Sequence, residues 1–189
     1  MSFVPAFRLG LWNAWILVIL LMVIFIFGSK ILGKRGSGDY SGHTKREKMF
    51  GSITSLIQMG SIVYSVFLPL QLDTGWFYAG LFIYGIGIIV EILVLLAFAT
   101  TPEDQPVTKG VFNVSRNPGY FGEFLIYAGI GIACLSWVFL LVAMIAIMLE
   151  HQIVLGEERI CINKYGDDYR KYMKRTPRWI GIQKSEKMD

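Results

Sequence analysis

Four stretches of the chain carry no charged residue: 9–29, 49–72, 74–90 and 124–149, of 21, 24, 17 and 26 residues. A helix rising 1.5 Å per residue needs about 20 apolar residues to cross the hydrocarbon of a bilayer. Lipid offers no water to stray backbone polar groups, so runs of this length predict membrane-spanning helices. The pattern places a first span at about 9–27, with Trp12 and Trp15 suited to the interface. A second runs from about 50 to 70, with Pro69 near its end, and a third from 76 to about 99. The tight connection 71–75 makes these two antiparallel neighbours. Beyond a loop at 102–117, residues 118–155 stay apolar for nearly 40 positions. One helix of that length would extend about 57 Å, roughly twice the hydrocarbon thickness. Two helices with a turn near Cys134, Leu135 and Ser136 would each rise about 25 Å, which suffices.

Composition agrees. Apolar residues make up 54% of the 189 and charged residues 17%, with a mean hydropathy of +0.52. A soluble domain carries nearer a quarter charged residues, so a water-soluble globule is excluded. The loop at 28–48 holds six basic residues (Lys30, Lys34, Arg35, Lys45, Arg46, Lys48) against Asp39 and Glu47. Its glycines, Gly33, Gly36, Gly38 and Gly42, read as a flexible connection rather than a phosphate loop, since no strand precedes them and no GK[ST] closes them. Lys109 and Arg116 precede the fourth apolar run and nine basic residues follow Glu157. Lys/Arg excess marks the cytoplasmic side, so the N-terminus is expected outside and the C-terminus inside. The expected fold is an all-α integral membrane protein of five transmembrane helices, the last two a helical hairpin, followed by a short cytoplasmic amphipathic C-terminal helix. Residues 1–100 form a three-helix transmembrane region. Residues 101–189 hold a loop, the hairpin and the tail, and the two parts make one integrated domain.

The tail helix is read from Asp167 and Asp168 in its first turn, Lys174 and Arg175 in its last, and Pro177 as its stop. Tyr169, Tyr172 and Met173 fall on one face, which points to a helix lying on the inner membrane surface. The net charge of +4 meets anionic lipid headgroups rather than nucleic acid. Cys134 is expected outside and Cys161 inside, so they cannot pair. Two histidines, His43 and His151, exclude a His-rich di-iron centre, and no metal is expected. No small-x-small site follows the first apolar run, so no cleavable signal is expected. Gly80, Gly85, Gly87, Gly129 and Gly131 would permit close helix contacts.

The hairpin brings two polar clusters to one rim. The first is Arg116-Asn117-Pro118-Gly119-Tyr120, with Glu123 a turn on; Asn at the N-cap and Pro at the first helical position form a sound helix start. The second is Glu150, His151, Glu157 and Glu158, spaced to share one helical face. Acids at a helix C-terminus oppose the dipole, so this face calls for a cation or a partner. Glu91 is the one acid deep inside a span. It is either a hydrogen-bonded packing residue or a wall of an acceptor cavity.

At these residues the chain resembles the isoprenylcysteine carboxyl methyltransferases and their relatives, the membrane phospholipid N-methyltransferases. The resemblance rests on Val107-Thr108-x-Gly110-Val111-Phe112, Arg116-Asn117-Pro118-x-Tyr120-x-Gly122, Glu157-Glu158 and Tyr165-Gly166-x-x-Tyr169-x-x-Tyr172. It covers residues 105–180; the first three spans match in hydropathy alone. The resemblance implies an S-adenosylmethionine-dependent methyltransferase without the soluble Rossmann-like fold, acting on the carboxylate of a prenylated or lipidic acceptor. Carried over, Val107, Phe112, Asn117, Pro118, Gly119 and Tyr120 line the cofactor pocket. Glu157 matches the glutamate bordering the acceptor pocket, with Glu158 beside it as its catalytic companion. Asn117 stands where the family usually has histidine, and Ile153 where prenylcysteine methyltransferases carry an arginine. His151, half a turn from Ile153, is counted with the cofactor-binding set.

Physical chemistry accommodates that activity. Methyl transfer from a sulfonium to a carboxylate cancels opposite charges, so it needs alignment and a dry site more than a general base. The start of the fourth helix offers backbone N–H groups to a carboxylate, and the acidic face offers counter-charge to an ammonium or sulfonium. A second reading is an NADPH-dependent sterol or steroid reductase, whose C-terminal part the string from Glu158 through Tyr165-Gly166 to Tyr169 also resembles. A third is a non-catalytic membrane subunit.

Overall fold

The computed structural model describes residues 7–34 and 42–181. Its helices are α1 (Trp15–Lys34), α2 (Lys45–Ser65), α3 (Gly75–Ala99), α4 (Pro118–Ala133) and α5 (Trp137–Arg175), with a 3-10 turn at Gly110–Asn113 before α4. Among the described residues there is no β-sheet, only an isolated antiparallel bridge between Asn13 and Pro69. Two of the helices, α3 and α5, are long and apolar enough to cross a membrane, and α1 contributes a shorter apolar run, Trp15–Ile31.

The first helix is displaced from its expected place. Residues 8–14 stay outside the helix, because the Ala14 N–H donates to the Leu68 carbonyl and the Leu70 N–H to the Trp12 carbonyl. Asn13 Nδ2 donates to the carbonyls of Arg8 and Val66, fixing this segment on the turn after α2. At its other end α1 continues through Gly28 and Ser29 to Lys34, consuming part of the expected loop. Residues 35–41, with Arg35, Gly36, Gly38 and Asp39 of that loop, lie outside the described residues, as do Lys184 and Lys187. Helix α2 begins at Lys45, five residues ahead of its expected span. Thr44 caps it: its side chain accepts from the Glu47 N–H while the Glu47 carboxylate accepts from the Thr44 N–H. A capping box satisfies two backbone donors that a bare helix start would leave open.

The turn at 134–136 falls where it was expected, with Ser136 accepting from the Phe139 N–H at the start of α5. Leu135 there takes a left-handed φ of 53°. Helix α5 spans 39 residues; its unbroken part, residues 137–165, would extend about 43 Å at 1.5 Å per residue, longer than the roughly 30 Å of bilayer hydrocarbon. It breaks at Gly166, whose φ of 57° no other side chain adopts readily, and the helical segment 167–175 follows. That segment corresponds to the expected tail helix, but its aromatic face is not laid on a membrane. Tyr169 and Tyr172 are buried against Phe112, Val94 and Ala97, so the aromatic stripe packs inward.

Helices α3 and α4 form the tightest pair. A Cβ on Gly80 would lie 2.3 Å from the Ala133 nitrogen, and one on Gly129 would lie 2.6 Å from the Tyr84 nitrogen. Gly87 meets the Gly122 carbonyl in the same way. Backbones this close require glycine at the crossing. Of the other glycines singled out, Gly131 lies against Leu140 of α5 and Gly85 touches nothing. The core beside this crossing is built from Tyr84, Ile88, Ile126, Ile130 and Phe139, and the Tyr84 hydroxyl ties it to α1 through the Leu17 carbonyl. Outward faces are apolar: Phe82 and Leu56 are more than 70% exposed.

Candidate functional site

A cavity of about 600 Å³ opens where α4 begins, in the range typical of small-molecule sites. Its first wall is the loop ahead of α4. Gly110 turns the chain with φ 64°, and the 3-10 turn after it drives Phe112 inward, where its ring meets Phe98 edge-on at 5.6 Å. The Tyr172 hydroxyl holds that turn by donating to the Phe112 carbonyl at 2.7 Å. Phe112 and Val107 both line the cavity, together with Tyr165 and Tyr169 from beyond the expected set.

The second wall is the start of α4. Asn117 occupies the N-cap position, yet its side chain does not cap the helix. Instead Asn117 Nδ2 donates to the Arg178 carbonyl at 3.2 Å, and its backbone N–H donates to Ser115 Oγ at 3.0 Å. Asn117, Pro118, Gly119 and Tyr120 all line the cavity. Across from them lies Glu91 of α3. A Cβ on Gly122 would sit 2.8 Å from its Oε1, and one on Gly119 would sit 3.9 Å away, so the small first turn of α4 leaves room for this carboxyl. Glu123, 8% exposed, accepts a short hydrogen bond from Gln58 of α2 and also lines the cavity.

The face expected to unite Glu150, His151, Glu157 and Glu158 divides instead. Successive residues on a helix point about 100° apart, and each of the four finds a different setting. Glu157 lines the cavity and accepts a 2.8 Å hydrogen bond from the Tyr120 hydroxyl. Glu158 is not among the lining residues. It is 4% exposed and bound by two guanidiniums, Arg116 Nη2 at 2.9 Å and Arg178 Nη2 at 2.8 Å. Burial alone would raise its pKa, but the hydrogen bonds and charges of Arg178 and Arg116 bring it below the usual carboxylate range. His151 stacks on Trp179 at 5.9 Å and likewise lies outside the lining. Glu150 is buried, within electrostatic reach of Glu123, Glu157 and Glu91.

The cavity therefore brings together seven of the nine expected site residues, omitting Glu158 and His151. To the carboxyl group of Glu157 it adds two more, Glu91 and Glu123, against apolar side chains of α1 and α3 such as Leu21, Ile24, Phe25 and Leu95. The lining thus combines aromatic, carboxyl and aliphatic side chains in one space. Among the described residues no group of three or more His, Cys, Asp or Glu could hold a metal ion. Residues 48–168 match the family model described as phospholipid methyltransferase. No curated protein and no solved structure matches the chain.

Proposed function

The chain belongs to the phospholipid methyltransferase family, and from that premise we propose an integral membrane S-adenosylmethionine-dependent methyltransferase that acts on a lipophilic acceptor. The observation that carries this reading is the composition of the cavity at the start of α4. It joins the family's loop and helix start to an aliphatic wall on α1 and α3. A water-made donor and a membrane-held acceptor need such a place to meet.

S-adenosylmethionine suits the residues present, and when bound it supplies an electrophilic methyl group on a sulfonium. Val107, Phe112 and Tyr120 would hold it through apolar and aromatic contact, while the backbone N–H groups of 117–120 would be available to its carboxylate. Glu157, oriented by the Tyr120 hydroxyl, and Glu91 are the carboxyl groups that would balance its cationic parts, whose presence favours their ionised form. Tyr165 and Tyr169 help exclude water from the same space, which strengthens every charge interaction inside.

For the acceptor, the motifs at Asn117–Tyr120 and Glu157-Glu158 support the carboxylate of a prenylated or lipidic molecule. A specific observation favours the amine of a phospholipid as the second reading: Glu91, Glu123 and Glu157 already line the cavity. A cation or amine placed among three carboxyl groups favours their ionised form and gains from it, whereas a further anion disfavours it. Family membership favours transfer over the reductase reading. The spans are read as five, with the N-terminus outside and the site on the cytoplasmic side, in keeping with the Lys/Arg bias. The test is methyl transfer from labelled S-adenosylmethionine by the purified protein in bilayer discs, offered a prenylated thioacid or an aminophospholipid. Labelled lipid from either acceptor supports the reading. Binding of NADPH without binding of S-adenosylhomocysteine would replace it with the reductase.

A further inference from the structure

The segment after α5, residues 176–181, folds back along the loop that leads into α4. The Arg116 N–H donates to the Pro177 carbonyl at 2.9 Å, and the Gly181 N–H to the Val114 carbonyl at 3.2 Å. The carbonyl of Arg178 accepts from both Ser115 Oγ and Asn117 Nδ2 at 3.2 Å. This strap is pinned from its own side chains as well. Arg178 reaches Glu158 with Nη2 at 2.8 Å and Nε at 3.1 and 3.2 Å. Glu158 also takes Nε of Arg116 at 2.9 Å, and Arg116 spends Nη1 on the carbonyls of Met173 and Thr176. Trp179 stacks on His151.

Three facts give this arrangement a direction. Glu158 and Arg116 are nearly inaccessible, 4% and 8% exposed, while Arg178 is 31% exposed and closes the triad from outside. Glu158 immediately follows Glu157, so a clasp on one fixes the turn of α5 that presents the other to the cavity. Asn117, held by the strap's carbonyl rather than by its own helix, is itself a cavity residue.

We propose that Arg178 is a positioning residue of the cofactor site: by clasping Glu158 it seats the 176–181 strap, which holds Asn117 and the start of α4 in register with Glu157. It touches neither cofactor nor acceptor. Its effect is preorganisation, so its loss leaves the reacting groups in place on average but lets the pocket wall wander. The inference rests on reading the cavity as the methyl-donor site.

The experiment compares full-length wild type with Arg178→Ala and Arg178→Lys in bilayer discs. Three quantities are read: S-adenosylhomocysteine affinity by calorimetry, KM for the donor against kcat, and the thermal midpoint. For Arg178→Ala, donor KM and S-adenosylhomocysteine Kd should rise about tenfold or more while kcat stays within about threefold. Arg178→Lys, which keeps the charge but not the bidentate fork, should fall between. The midpoint should move little, because Arg116 still pairs with Glu158. An unchanged Kd in Arg178→Ala overturns the proposal. So does a loss of activity that tracks only a loss of folded protein, with normal Kd in the folded remainder. Should Arg178→Ala fail to fold, Arg178→Lys with wild-type Kd and KM overturns it equally. A wild type that binds no S-adenosylhomocysteine defeats the methyltransferase reading itself, and that result is distinct from a wild type that binds while the variants bind as well.

Discussion

The Tyr120 hydroxyl donates a 2.8 Å hydrogen bond to Oε1 of Glu157, joining the first turn of α4 to α5 across the wall of the cavity. One partner brings an aromatic ring and the other an ionisable carboxyl group, so the two are separable by mutation.

Glu157→Gln keeps size and an acceptor for Tyr120 but removes the charge. Methyl transfer should fall at least about tenfold, about 1.4 kcal/mol of transition-state stabilisation, with S-adenosylhomocysteine affinity nearly unchanged. Turnover measured on an acceptor that wild type methylates decides the matter. Equal rates would make Glu157 a bystander.

Tyr120→Ala removes the ring instead. Calorimetry should find S-adenosylhomocysteine binding weakened by about 1–3 kcal/mol, the scale of burying an aromatic side chain. Tyr120→Phe should recover most of that affinity, because the ring and not the hydroxyl makes the apolar contact.

Gly80→Ala should destabilise the protein by about 1–3 kcal/mol or more, because the new Cβ would lie 2.3 Å from the Ala133 nitrogen. Gly85→Ala, five residues along the same helix with nothing within 4 Å, should be neutral or slightly stabilising. Thermal unfolding of the two variants side by side tests whether α3 and α4 depend on backbone approach. Similar midpoints would refute it.

Acid should loosen the contact between α2 and α5. Arg159 donates to both oxygens of Glu47, at 2.8 Å each. That hydrogen bond, opposed by a little burial and aided by the Thr44 N–H, holds the Glu47 pKa down to about 2 from 4.5. A pKa lowered in the folded state adds stability that is complete above about 4.5 and disappears as pH falls through about 2. Arg159 is exposed and Glu47 lies at the surface, only partly covered, so water screens the pair and the effect is small. Unfolding midpoints of wild type and Glu47→Gln should converge between those two pH values, since Gln preserves the capping box but not the charge. A constant gap down to pH 2 would exclude the linkage.

The five-span reading places the turn after α2 outside and the segment after Gly166 inside. Both native thiols are poor reporters, Cys134 being buried and Cys161 half-buried. Asp73→Cys and Lys171→Cys, each at an exposed position, report better. An impermeant thiol reagent should label the first in intact cells and the second only after permeabilisation. The reverse pattern would invert the topology.

Much of the bundle was legible because it follows from local rules. Thr74 and Ser136 begin α3 and α5 at the edges of apolar runs, and Pro118 opens α4. The start of α2 was not read, because the apolar run alone places it too late; the signal that marks it is the capping box Thr44-x-x-Glu47. The displacement of α1 was not legible. It depends on Asn13 finding carbonyls at Arg8 and Val66, the second 53 residues away. The site divides along the same line. Motif residues from Val107 to Tyr120 reach the cavity because one loop and one helix start carry them. Glu158 and His151 do not, because partners far along the chain, Arg178 and Trp179, decide where they point.

The glycine crossing of α3 and α4 has a consequence for engineering. Where two backbones touch, no rotamer can yield, so that side of the cavity is a fixed jaw. Helix α1 meets α3 through side chains, with the flexible end of Leu95 lying over Gly28. It is the adjustable jaw, and acceptors of different girth should be selected by changing Leu21, Ile24 or Phe25 rather than by touching α4.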